Sequence, residues 1–158
     1  MSNSTKKHLL VLELYCLRTI SLDIVRKKYR ELARIFHPDI SRKNTAPQMV
    51  LINNAKDFII DNLGEANHVL SLIWQNRNFE FGAVYDEANK PYSSKTPLEE
   101  LMVKASMFRA IDGFKDATRK SKEVEDLINK IIEEERRGEK LYESTLLDIN
   151  SATIEELQ

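Results

Sequence analysis

Cysteine, glycine and proline are all scarce in this 158-residue chain, with one, four and four copies respectively. The single cysteine, Cys16, excludes an intrachain disulfide and any metal site that needs a pair of cysteines. Its apolar neighbours Leu14 and Leu17 predict a buried structural thiol. The scarcity of glycine and proline favours long helices over a turn-rich β architecture. Since 42% of the residues are hydrophobic, the chain can bury a core, and we expect an all-α fold.

The sequence also lacks an uncharged apolar run that is long enough to cross a membrane. The apolar stretch of residues 9–17 follows Lys6, Lys7 and His8, which is a weak likeness to a secretory leader. Glu13 interrupts that stretch, and no small-residue cleavage site follows it. We therefore expect a cytoplasmic protein with no membrane partner.

Neither sign of charge dominates, because the chain contains 24 Lys and Arg residues and 25 Asp and Glu residues. That balance hides a division along the chain. Residues 1–45 contain ten Lys or Arg against four Asp or Glu, whereas residues 46–158 contain fourteen against twenty-one. A basic front and an acidic rear indicate either an acidic partner for the front or pairing between the two halves.

Residues 25–39 combine an amphipathic helix pattern with a sharp polar turn. Apolar residues recur at helical spacing and predict a core face, made of Val25, Tyr29, Leu32 and Phe36. A different face is basic and carries Arg26, Lys27, Arg30 and Arg34. Proline disfavours helical geometry in the residue before it, so the helix should end near His37 of the tripeptide His37-Pro38-Asp39. An imidazole and a carboxylate would then be exposed at the end of a positively charged helix.

This pattern, with Ala33 after Leu32 and the tripeptide closing the helix, resembles the J domain of DnaJ-type co-chaperones over about residues 9–62. In that family the basic helix and the H-P-D turn dock on a DnaK-type chaperone and stimulate its ATP hydrolysis. The resemblance implies a J domain in residues 1–64, whose partner-binding residues would be His37, Pro38, Asp39, Arg26, Lys27, Arg30 and Arg34. The chain departs from the family in three places. Leu14-Tyr15-Cys16 stands where a Leu-Gly-Val-like run is usual. Ile40 stands where a basic residue is common, and Lys56 where an aromatic residue often follows the alanine.

Helix boundaries in the front half follow from capping residues. We expect a first helix over residues 6–18, a second capped by Ser21, and a third that opens at Thr45 with a capping box to Gln48 and closes at Gly64. The shared core of these helices should contain Leu14, Val25, Tyr29, Leu32, Phe36, Ile52, Ala55 and Ile59.

Residues 65–158 predict a helical targeting or interaction module behind the J domain. Residues 65–76 fit a helix, whereas residues 77–95 are the least helical part and fit either a hairpin or a loop. Thr96 should cap a helix that starts at Pro97. Residues 97–137 carry two apolar stripes, which one helix cannot bury against itself, so we expect a helical hairpin that breaks between residues 113 and 122 and ends at Gly138. Aromatic residues before it should fill a second small core, namely Trp74, Phe79, Phe81 and Tyr85.

His37 and Asp39 alone could form an acid–base pair or bind a metal. No matching nucleophile or ligand cluster occurs elsewhere in the sequence, so we expect no enzymatic activity, no catalytic residue, no metal and no cofactor. Two alternatives to a co-chaperone stay open. One is a degenerate J-like scaffold or adaptor, which would bridge other proteins through residues 65–158. The other is a nucleic-acid-associated helical protein that uses the basic front to hold phosphates, and we expect nucleic acid to be the less favoured partner.

Overall fold

The computed structural model describes residues 2–37, 39 and 45–157, and the side chains of residues 4–37, 39 and 45–138. Within these ranges all regular structure is helical and no strand occurs, which confirms the expected all-α class. The helices are α1 (Ser2–Val11), α2 (Leu22–Phe36), α3 (Ala46–Asp61), α4 (Leu63–Gln75), α5 (Arg77–Ala88), α6 (Leu98–Ala110) and α7 (Ala117–Leu157).

Helices α2 and α3 pack side by side in opposite directions. At one end, the Thr45 hydroxyl before α3 donates to the carbonyl oxygen of Phe36, the last residue of α2. Further along α3, Asn53 Oδ1 accepts a 2.7 Å hydrogen bond from the Tyr29 hydroxyl, which lies further back in α2. The start of α2 is capped as predicted, since Ser21 Oγ accepts from the backbone N–H of Ile24 at 3.3 Å. These contacts hold the two helices as an antiparallel pair.

The core of the front half contains the predicted residues. Leu14, Val25, Leu32, Ile52, Ala55 and Ile59 are buried, and Tyr29 and Phe36 pack against them while partly exposed. Buried residues from both sides of residue 64 nevertheless form one continuous cluster. Helix α1 packs against α3, α4 and α6 and is therefore buried by both halves. The division of the chain at residue 64 stays a prediction.

The expectation of a hairpin or a loop over residues 77–95 is wrong for residues 77–88, which form helix α5, whereas residues 89–95 lie in the connection to α6. The buried residues of α5 are Phe81, Val84, Tyr85 and Ala88, whose spacings of three and four are helical. The alternating pattern depended on Phe79, which is 68% exposed. Tertiary packing of one helical face therefore outweighs the local alternation of apolar residues.

The segment over residues 97–137 forms two helices, as predicted. Helices α6 and α7 pack against each other, and the chain turns between them at residues 111–116. Gly113 has a φ of 90° in this turn, a conformation that glycine adopts at little cost. The predicted end at Gly138 is wrong, since α7 runs through it for 41 residues in all. One interior glycine costs about 1 kcal/mol relative to alanine, which is too little to end a helix of this length.

Several predicted helix ends are also wrong. Helix α1 stops at Val11 rather than near residue 18, and Glu13 after it has a left-handed φ of 57°. Gly64 lies inside α4, while Asn62 closes α3. The Thr45 hydroxyl gives its hydrogen bond to α2, so the expected side-chain cap of α3 does not form. The residue before α6 is Pro97, one place later than the predicted cap.

Candidate docking surface

Helix α2 separates an apolar face from a basic face. Val25 and Leu32 are buried in the core. The four predicted cations are all exposed on the other side of the helix, namely Arg26, Lys27, Arg30 and Arg34. Because successive turns place residues i, i+4 and i+8 on one side, these cations form a continuous strip along the helix. We call this strip the basic face.

The basic face keeps its charge, because none of its four side chains has an ion-pair or hydrogen-bond partner within the part of the chain that the structure describes. Neighbouring cations behave differently. Lys28, also on α2, lies 3.5 Å from Glu13 and 3.7 Å from Glu31. Lys6 and Lys7 on α1 pair with Glu80 and Glu99, at 2.8 Å and 3.7 Å. Pairing between the halves thus engages α1 and leaves the basic face free for a partner.

The end of α2 is a defined stop at His37. The helix ends at Phe36, and the His37 N–H donates to the carbonyl oxygen of Ala33 at 2.8 Å. His37 itself is extended, with φ −63° and ψ 130°. This is the geometry that a following proline favours, and it confirms the predicted end of the helix. Pro38 and residues 40–44 lie outside the described residues.

His37 and Asp39 face each other across the turn. Nδ1 of His37 accepts a 3.1 Å hydrogen bond from the backbone N–H of Asp39, and Oδ2 of Asp39 lies 3.7 Å from the same nitrogen. With Nδ1 acting as an acceptor, the proton of a neutral imidazole lies on Nε2. The side chains of His37 and Asp39 are 45% and 89% exposed, so an outside donor or acceptor can reach both. This arrangement suits contact with a partner.

The base of the turn is closed by a buried contact. Thr45 is 6% exposed, and its hydroxyl donates to the Phe36 carbonyl oxygen, which the end of α2 leaves without a helical partner. This hydrogen bond joins the last residue of α2 to the residue before α3. His37 is thereby held at a fixed place relative to both helices.

A cluster of ion pairs between α2, α6 and α7 was not predicted from the sequence. Arg109 of α6 donates through Nε to Glu13 Oε1 at 2.7 Å, and its guanidinium also contacts the Glu125 carboxylate of α7. Glu13 in turn pairs with Lys28 of α2. The cluster therefore links α2 to the α6–α7 hairpin. A contact between residues 96 positions apart leaves no local signal in the sequence.

The second small core predicted after residue 64 does not form separately, because its buried aromatic residues belong to the one continuous core. Phe81 and Tyr85 are buried, Trp74 is half-buried and Phe79 is exposed. Trp74 packs against the connection between α1 and α2, where its Nε1 donates to the Leu17 carbonyl oxygen at 2.9 Å.

Cys16, in the same connection, is an exposed residue rather than the buried one expected. Its thiol donates to the carbonyl oxygen of Ala110 at the end of α6. Partial burial of the thiol raises the pKa of Cys16. Both observations favour the protonated thiol, which is the form that donates to Ala110.

No family model matches the chain, and it has no significant match among curated proteins or solved structures.

Among the described side chains, no group of three or more His, Cys, Asp or Glu is placed to hold a metal ion. No helix within the described ranges is long and apolar enough to cross a membrane.

Proposed function

We propose that the protein is a J-domain co-chaperone that docks on a DnaK-type ATPase and stimulates its ATP hydrolysis. One observation carries the proposal: α2 presents an exposed basic face, unpaired within the described ranges, that leads to His37 and Asp39 at its end. The chain supplies no catalytic group of its own in this proposal. The helices after residue 64 would bring the co-chaperone to its client or targeting partner.

The basic face would act first, by electrostatic attraction. Four exposed cations on one side of a helix create a positive potential, which accelerates encounter with an acidic surface and orients the two proteins. Because the charges are exposed, salt would screen this attraction. The association rate should therefore fall as ionic strength rises.

The turn would act second, on the conformation of the ATPase. A bound protein shifts a conformational equilibrium only if it contacts one state better than the other. The Nε2–H of His37, the Asp39 carboxylate and Pro38 between them are the groups proposed to make that differential contact. They would favour the hydrolysing, client-clamping state.

Replacing His37 by Gln tests the proposal directly. The side chain makes one internal hydrogen bond and is 45% exposed, so the variant should fold with unchanged stability. We expect single-turnover ATPase stimulation by a DnaK-type partner to be abolished. The matched control is His68→Gln, which changes an exposed histidine on α4 and should stimulate like the parent. A His37→Gln protein that stimulates as well as the parent would refute the proposal.

Oligonucleotide binding, measured beside ATPase stimulation, separates the two alternatives. The unpaired basic face also suits phosphate, which favours a nucleic-acid-associated protein as the second candidate. A nucleic-acid-associated protein would bind a single-stranded or duplex oligonucleotide through the basic face. Its affinity for the oligonucleotide should not change in His37→Gln. A J-like scaffold predicts neither ATPase stimulation nor oligonucleotide binding, with protein partners bound through residues 65–158.

A further inference from the structure

A second group of exposed cations, on residues outside α2, contacts aromatic rings. The guanidinium carbons of Arg18 and Arg77 lie 5.1 Å and 4.7 Å from the centre of the Trp74 ring. Arg77 also lies 5.4 Å from the ring centre of Phe81. These residues come from the α1–α2 connection and from the ends of α4 and α5 that meet at residue 76.

These contacts continue into the α6–α7 turn. The Phe81 ring contacts Phe114 with 6.4 Å between ring centres, and Lys115 Nζ lies 5.5 Å from the Phe114 ring and 4.9 Å from the Tyr85 ring. The result is one connected series of cation–ring and ring–ring contacts, which we call the cation–aromatic ridge, made of Arg18, Trp74, Arg77, Phe81, Phe114, Lys115 and Tyr85. It contains no residue of α2.

The three cations of the ridge are exposed, and none has an ion-pair partner in the described part of the chain. The carboxylates near them have other partners: Asp116 accepts from the Tyr85 hydroxyl and pairs with Arg119, and Asp112 accepts from the Thr118 hydroxyl. The rings beneath hold the cations in place, since a cation over an aromatic face is attracted to it. The ridge therefore presents ordered positive charges that the fold does not neutralise.

The burial of the rings indicates what kind of partner fits. Single-stranded nucleic acid is held by bases stacked on exposed aromatic rings. Here Phe81 and Tyr85 are 6% and 7% exposed, and Trp74 and Phe114 are half-buried. The rings thus offer little free surface for stacking, whereas the free N–H groups of two arginines and a lysine match carboxylates.

We propose that the cation–aromatic ridge binds an acidic, extended segment of a protein partner through Arg18, Arg77 and Lys115. This site is separate from the basic face and does not depend on the function proposed above. Carboxylates of the partner would pair with the three cations in turn along the ridge. The partner would be recognised by helices that lie mostly behind residue 64.

Trp74 makes the site directly observable, because it is the only tryptophan in the sequence. The experiment titrates the full chain with an unlabelled ten-residue peptide of alternating Glu and Ser, and follows Trp74 emission at low and at physiological salt. Binding at the basic face would leave this signal unchanged. We expect a saturable change in emission that weakens with salt, since the contacts are between exposed charges.

The test variant is R18Q/R77Q/K115Q, with K95Q/K122Q/K130Q as the matched control. The control removes three exposed cations that also lack an ion-pair partner within the described chain. We expect the test variant to lose at least about tenfold in affinity for the peptide and the control to stay within about twofold. A charge-retaining variant, R18K/R77K, should keep most of the affinity. Circular dichroism melting checks that each variant is folded.

Three outcomes would overturn the proposal. The first is equal peptide affinity for the parent and the test variant. The second is tighter binding of a ten-nucleotide oligo-dT than of the peptide, with the same dependence on the ridge, which would make the ridge a nucleic-acid site. The third is sedimentation of the parent as a dimer that R18Q/R77Q/K115Q disrupts, which would make a second copy the occupant.

Discussion

Glu13 shows how a single residue joins the two halves of the molecule. Its left-handed φ of 57° is unfavourable for a residue with a side chain, at a cost of roughly 1–2 kcal/mol. The conformation places its carboxylate against Arg109 of α6 and Lys28 of α2. These contacts link α2 to the α6–α7 hairpin.

A double-mutant cycle on Glu13→Gln and Arg109→Gln should measure this coupling. The two side chains are 20% and 28% exposed, so the pair is only partly screened by water. We expect a coupling energy of about 0.5–1.5 kcal/mol in urea unfolding. The matched control is the pair Glu133–Arg137, whose two side chains are each more than 60% exposed. The coupling energy of this pair should be close to zero. Additive effects of the two Glu13 and Arg109 substitutions would contradict the prediction.

His8 makes the stability of the fold depend on pH. It stacks on Phe58 with 4.2 Å between ring centres. Burial, and secondly the nearby charge of Lys7, lower the pKa of His8 below its ordinary value of 6.5. The folded state therefore prefers the neutral imidazole, whereas the unfolded chain takes up a proton as the pH falls through about 6.5.

The free energy of unfolding should therefore decrease as the pH falls below about 6.5, and level off once the pH is below the lowered pKa of the folded state. Urea unfolding at intervals between pH 7.5 and 5 measures this dependence. His8→Phe should flatten it while keeping the aromatic contact. His68→Gln, at an exposed position, should leave it as in the parent. An unaltered pH dependence in His8→Phe would show that another group is responsible.

At the scale of one helix, α2 combines a buried apolar side and an exposed basic side. Its buried residues hold it in the core, and the basic face points outward with no ion-pair or hydrogen-bond partner among the described residues. Substitutions on the basic face should therefore alter binding without altering stability. This separation lets the proposed docking be tested apart from folding.

The variant R26Q/R30Q/R34Q should slow association with a DnaK-type ATPase by about tenfold or more at low salt, and should reduce the salt dependence of the rate. Its melting temperature should match the parent within error, because these side chains make no ion pair or hydrogen bond with the described part of the chain. Stopped-flow association at several salt concentrations measures the effect. The same K95Q/K122Q/K130Q control should associate like the parent. Equal rates and salt slopes for R26Q/R30Q/R34Q and the parent would show that the basic face does not guide docking.

For the whole molecule, α1 is the element on which the division into halves depends. Its residues Leu9 and Leu10, and Leu12 after it, are at most 2% exposed. Helix α1 packs against α3 of the front half and against α4 and α6 of the rear. The front half therefore shares part of its core with the rear.

A fragment of residues 1–64 should retain helical structure but lose stability relative to the full chain. Removal of α4 and α6 exposes part of α1, and each large apolar side chain fully returned to water costs about 1.5–3 kcal/mol. Urea unfolding followed by circular dichroism should show a lower midpoint for the fragment. A midpoint equal to that of the full chain would show that residues 1–64 fold as an independent domain.

The sequence by itself determined the features of α2 and its surroundings. The start at Ser21, the stop at His37, the core positions Val25 and Leu32, and the exposure of the basic face all follow from interactions within about four residues. Helical periodicity, capping and the restriction before proline act at that range. The helical class and the turn near Gly113 were predictable for the same reason.

Only the tertiary structure decided which charges remain free and how the halves join. The neutralisation of Lys6 by Glu80, the link from Glu13 to Arg109 and the cation–aromatic ridge each join residues that are distant in sequence. Helix α5 likewise exists because one of its faces is buried by other helices, despite a local pattern that alternates. Such contacts depend on the packing of whole helices, and no short-range pattern encodes the geometry of that packing.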